Sequence, residues 1–166
     1  MMSKRWLLIF LLLFAFFAKD CWAAFEFSLA EGYRTIDFGA MELNEEETIA
    51  ARGGYEHQFN CTSDQGRTWH FKAQLIRPFT SGTQTIPAEN LQWVVERVGA
   101  GRGFVSTSLS TPSPFSTSPA SIYTSADTDN TGTEVQIRLR YKLRIPQTQA
   151  AGTYTAHIRF IMVEEL

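Results

Sequence analysis

The chain has 166 residues, 17 acidic and 15 basic side chains, a net charge of −2 and 44% hydrophobic residues. That length holds one domain and a leader, and the charge lacks the general polybasic character of a nucleic-acid or membrane-surface binder. With only two cysteines, a hydrophobic core rather than a disulfide framework has to hold the domain.

In chain order, Lys4 and Arg5 precede an apolar run of 13 residues from Trp6 to Ala18, and Lys19-Asp20-Cys21-Trp22-Ala23-Ala24 follows. A positive start, an apolar run and a small-residue exit read as a secretory signal peptide over residues 1–23, too short for a comfortable membrane span. Its removal takes Lys4, Arg5, Lys19 and Asp20, so 15 basic residues become 12, 17 acidic become 16, and residues 24–166 carry −4. Cys21 leaves with it. Cys61, in phase with apolar neighbours, reads as core filling.

The remaining segments alternate. Phe25, Phe27 and Leu29 mark a short strand, and Ile36 and Phe38 a second over Arg34–Phe38. Gly39 to Ala51, with Glu45-Glu46-Glu47, reads as a polar connection. Tyr55, His57, Phe59 and Cys61 alternate into the turn Ser63-Asp64-Gln65-Gly66, and Trp69, Phe71, Ala73 and Leu75 follow, which predicts a hairpin. Leu91, Trp93 and Val95 begin another strand, turned by the glycines at 99, 101 and 103 toward Phe104-Val105. Ser106 to Ser121 is Ser/Thr/Pro-rich and reads as a long surface loop. Ile122–Thr124 rejoins a sheet edge, and Asp127–Gly132 is a turn.

The clearest pattern comes last. Val135, Ile137, Leu139, Tyr141, Leu143 and Ile145 alternate with Gln136, Arg138, Arg140, Lys142 and Arg144, the signature of a strand with one buried and one wet face. After Pro146–Gly152 a second strand carries Tyr154, Ala156, Ile158, Phe160 and Met162 inward, and the two predict a terminal hairpin. Its wet face would set Arg138 opposite Arg159 and Arg140 opposite His157, a like-charge surface that calls for an acidic partner such as Glu96, Glu45–Glu47 of a neighbouring copy, or a polyanion. Arg138, Arg140, Lys142, Arg144 and Arg159 are therefore candidates for such a face. Ala151-Gly152-Thr153-Tyr154 reads either as a tyrosine corner, where a sandwich chain crosses between sheets, or as an ordinary turn before a core tyrosine. Seven to nine strands and no helical period give an all-β, immunoglobulin-like antiparallel sandwich.

Chemistry-bearing motifs fail on inspection. Asp127–Gly132 fails as a calcium loop, with Thr131 where an Asp or Asn is needed and Arg138 where the bidentate glutamate is needed. The three histidines lack metal-ligand spacing, and there is no nucleophile elbow. The expectation is no catalysis, no metal, no cofactor and no nucleic-acid partner, and no membrane contact after the leader is removed.

One deficit organises the rest. An immunoglobulin-type sandwich adds a strand after its tyrosine-corner strand, and the residues after Met162 are too few to encode one. With the secretory leader, Ile36-Asp37-Phe38-Gly39, and Ala151-Gly152-Thr153-Tyr154 before an alternating terminal strand, the chain resembles the chaperone–usher pilins, nearest the archaic branch of spore coat protein U-like subunits. The resemblance implies a bacterial surface filament or coat subunit that passes through the periplasm with a chaperone and an outer-membrane usher. A neighbouring copy or related subunit would then supply the missing strand. Phe25, Phe27 and Leu29 would be donor-strand residues, and Tyr154, Ile158 and Phe160 would line the acceptor groove. Such pilins usually hold a cysteine pair, whereas Cys61 here stands alone. The alternative is a self-complete secreted binding module that holds a glycan through the Ser106–Ser121 loop and aromatics such as Trp93.

Overall fold

A computed structural model describes residues 24–31, 35–49 and 57–166. The expectations that fall on residues 1–23, and on Arg34, Tyr55 and Glu56, lie outside the described residues. The fold is an all-β sandwich of two antiparallel sheets. Its strands are β1 (Phe25–Glu31), β2 (Glu46–Ile49), β3 (His57–Ser63), β4 (Trp69–Ser81), β5 (Gln84–Thr85), β6 (Leu91–Gly99), β7 (Phe104–Val105), β8 (Ser113–Pro114), β9 (Ala120–Thr124), β10 (Val135–Arg144) and β11 (Thr155–Glu164). The first sheet runs β1-β3-β10-β6-β8, with β2 also on β10; the second runs β11-β4-β9-β7, with β5 on β4.

Strand β10 is the centre of the first sheet, and its alternation is fully expressed: Val135, Ile137, Leu139, Tyr141 and Leu143 are buried, and the basic residues between them face out. Against them, across the core, pack Trp69, Phe71 and Leu75 of β4 and Ile122 and Tyr123 of β9. Each such side chain taken fully out of water contributes roughly 1.5–3 kcal/mol. Trp69 and Trp93 are both core residues, as is Cys61.

Three expected hairpins are not hairpins. Strands β3 and β4, β6 and β7, and β10 and β11 each fall in opposite sheets, so each connection crosses the sandwich. A period of two states only that one face is buried; two apolar faces can be covered side by side in one sheet or face to face about 10 Å apart. The links are long enough for the second solution: residues 64–68 join β3 to β4, and residues 145–154 join β10 to β11. At the β6–β7 crossing the glycines allow close packing rather than a hairpin, since a Cβ on Gly103 would lie 2.0 Å from the Thr124 carbonyl oxygen. At the last crossing the tyrosine corner is present. Tyr154 Oη donates to the Ala150 carbonyl at 2.7 Å and accepts from Gln149 Nε2 at 2.7 Å.

Three further segments depart from expectation. Glu46–Ile49 is a strand, paired with Tyr141–Arg144 of β10, where a polar connection was expected. The described part of the expected strand at Arg34–Phe38 is unpaired, although Ile36 and Phe38 do turn toward the core. The Ser/Thr/Pro-rich segment is fastened down: Phe115 is buried and its amide donates to the Leu91 carbonyl at 2.9 Å, while β8 pairs with β6. One aromatic anchor outweighs the surrounding hydroxyls, whose backbone groups find partners in the sheets.

Candidate functional site

The two sheets do not close at one side. Strand β11 pairs with β4 from Thr155↔Thr80 to Glu164↔Trp69, and among the described residues nothing pairs with its other edge. In an antiparallel ladder alternate residues direct both N–H and C=O to one side, so roughly half of this strand's residues offer unpaired backbone groups. Facing it across the seam is β1, the edge of the other sheet, antiparallel to β3 with Phe27 opposite Cys61 and Leu29 opposite Phe59.

Between these edges lies an apolar groove of about 490 Å³, lined by Leu29 from β1, Ile36 and Phe38 from the following segment, Phe59, Phe79, and Tyr154, Ile158 and Phe160 of the last strand and its corner. Its floor is aromatic. Phe160 stacks on Phe71 at 5.7 Å and 4° and lies 4.5 Å from Phe59. A second recess of about 800 Å³ continues from it beneath residues 36–43 and 149–154. His57 also lines the groove; its Nδ1 is 2.7 Å from Tyr141 Oη, and burial holds the Tyr141 phenol well above its ordinary range.

The structure thus brings Tyr154, Ile158 and Phe160 together on one groove wall. Phe25, Phe27 and Leu29 are placed in their own sheet rather than beside β11, and they are incompletely covered there. Phe25 and Phe27 are each 38% exposed, although Phe27 touches Phe71 edge-on at 5.8 Å.

The chain matches no protein-family model, no curated protein and no solved structure.

The basic residues are divided between two faces. Arg138, Arg140, Lys142 and Arg144 stand on the outer face of β10, but Arg159 stands on the outer face of β11, in the other sheet, so it opposes none of them. The neighbour of Arg138 across the strands is Arg97 on one side and Gln58 on the other, and its Nε donates to Gln58 Oε1 at 2.8 Å. Carboxylates of the same chain reach this face: Glu96 lies 3.6 Å from Arg140, and Glu46 lies 2.7 Å from Lys142.

One buried cluster had no signal in the sequence. Asp129 accepts from Tyr123 Oη at 2.6 Å and from the amides of Arg102, Gly103 and Ala126, each at 2.9 Å. Burial opposes its charge, but these four donors outweigh that and hold the carboxyl below its ordinary value; burial first, then Asp129, pushes the Tyr123 phenol up. The cluster ties the β6–β7 crossing to β9, and both carboxylate oxygens are engaged by donors of the chain itself. It is a structural clasp. Among the described residues no group of three or more His, Cys, Asp or Glu could hold a metal ion, and no helix is long and apolar enough to cross a membrane.

Proposed function

We propose that this chain is a non-enzymatic structural subunit of a bacterial surface filament, fimbria or coat, joined to its neighbours by β-strand complementation. The uncovered edge of β11 carries this reading. Unpaired backbone groups lie beside a half-buried apolar wall of Ala156, Ile158 and Phe160, a combination that recruits an added strand. The exposed rings of Phe25 and Phe27 support the other half of the exchange, because a segment that buries its aromatics poorly at home gains by docking elsewhere. In this reading, export runs through the periplasm with a chaperone covering the groove and an usher handing subunits on.

The pairing of β1 with β3 favours one alternative, a secreted binding module complete in itself. Deleting residues 24–30 separates the two. A strand-exchange subunit should remain folded, stay monomeric by size-exclusion chromatography, form no filaments by electron microscopy, and gain thermal stability from a synthetic peptide of residues 24–31. A self-complete module should unfold on deletion, and its full-length form should show no filaments at any concentration.

A further inference from the structure

We infer that the outer face of the β4–β11 ribbon binds a linear anionic polysaccharide, one bearing sulfate or carboxylate groups along its length. The starting observation is a contrast between the two outer faces. On β10, Arg140 and Lys142 each meet a carboxylate of the same chain, flanking Arg138, which Gln58 holds. On the β4–β11 ribbon, Lys72, Arg77 and Arg159 meet none among the described residues. The two arginines are held instead by neutral acceptors: Arg77 by Thr155 Oγ1 at 3.0 Å and His157 Nε2 at 3.1 Å, and Arg159 by Gln74 Oε1. A neutral acceptor orients a guanidinium without cancelling its charge, and each fork keeps further N–H donors for a ligand.

The register sets these cations in a row. Lys72 is paired with Ile161 and Arg159 with Gln74, so Lys72 and Arg159 are diagonal neighbours, roughly 7–8 Å apart at their backbones. Arg77, paired with His157, follows one step further along, across the bulge that turns both Ile76 and Arg77 outward. Like charges at this spacing repel, and a row of them on a chain of net negative charge is relieved by a line of anions. Two features favour a polysaccharide over a nucleic acid. Strands β4 and β11 turn no Phe, Tyr or Trp outward on which bases could stack, since Trp69, Phe71 and Phe160 face inward, and the exposed Phe104 of the same sheet lies two strands away from β4. Strand β4 also pairs with β9, so these two strands are part of a wider sheet and not a free two-stranded ribbon of the kind that enters a duplex groove.

The test uses the full exported chain and dextran sulfate as the probe, with affinity measured against salt concentration. The variant Lys72→Gln/Arg77→Gln/Arg159→Gln should lose on the order of 100-fold in affinity at physiological salt, and its log–log salt slope should become shallower by about one per cation removed. Arg138→Gln/Arg140→Gln/Lys142→Gln should change less than about threefold; if that variant fails to fold by circular dichroism, Arg144→Gln is the control. Equal losses in both sets would overturn the assignment, as would absence of dextran sulfate binding in the parent chain. Tighter binding to single-stranded DNA, or to phosphatidylglycerol vesicles, than to dextran sulfate would overturn it too.

Discussion

Asp129 is a carboxylate enclosed by protein, and its four donors, rather than a cation, make that tolerable. Such charge-assisted bonds contribute roughly 1.5–3 kcal/mol each in difference measurements, and their loss is not additive. Asp129→Ala should therefore lower the unfolding free energy by about 3 kcal/mol or more, read from urea denaturation. The pH dependence has a definite sign. The folded carboxyl lies below its ordinary 3.8, so its stabilisation is fully present above that value and is lost as pH falls through the lower folded one. Acid unfolding of the parent should start near pH 4 and be blunted in the Asp129→Ala chain. Cys61 behaves in the opposite sense: burial, then Glu134, pushes its thiol up to about 12. Alkylation by iodoacetamide at neutral pH should proceed only in denaturant, and labelling of the native chain would contradict the core placement.

Among the elements, β11 deserves its own experiments because its outer edge and inner face are separable. Tyr154→Phe removes the bond to the Ala150 carbonyl and should cost about 1 kcal/mol without affecting the groove. Ile158→Asp puts a charge on the groove wall, where a donor strand would have to bury it. It should abolish the filaments the proposed reading expects, and because Ile158 packs partly against the core it should also lower the melting temperature, though by less than the same change at the fully buried Ile137. Strand identity was legible where alternation was long. β10 could be read from Val135 to Leu143 residue by residue, and the inward side chains of β11 likewise. Sheet membership was not, because Leu139 and Phe160 obey one period whether their strands lie beside or across from each other. Phe115 escaped notice because a single ring among serines, threonines and prolines has no period at all. The groove wall was legible as a set of residues; the clasp at Asp129 was not, since its partners are mostly backbone amides brought together by the crossing at Gly103.

For the whole molecule, the two faces and one open side divide the work. In the proposed reading the open side takes a neighbouring copy; on the β10 face Arg140 and Lys142 meet carboxylates of the same chain, whereas on the β4–β11 face Lys72, Arg77 and Arg159 meet none among the described residues. These assignments predict different responses to salt. Subunit association through β11 rests on backbone bonds and apolar contact and should persist in molar salt, whereas polyanion binding should fade over the range where screening becomes effective. Sedimentation of the chain with and without dextran sulfate, at low and high salt, reads both at once. Loss of self-association at high salt would count against strand complementation.

The repeated crossings between sheets also bear on how the chain reaches this state. Among the described residues, apart from the small β4–β5 ribbon, no strand pairs with its immediate successor, so local turns offer little early pairing. A productive nucleus must recruit segments far apart in the chain, which places refolding in the slow, millisecond-to-second class of all-β domains. Throughout that interval the hydrophobic strand ends of many molecules can meet one another. Refolding yield should fall steeply with protein concentration, so an escort that shields nascent chains would matter as much for kinetics as for final assembly.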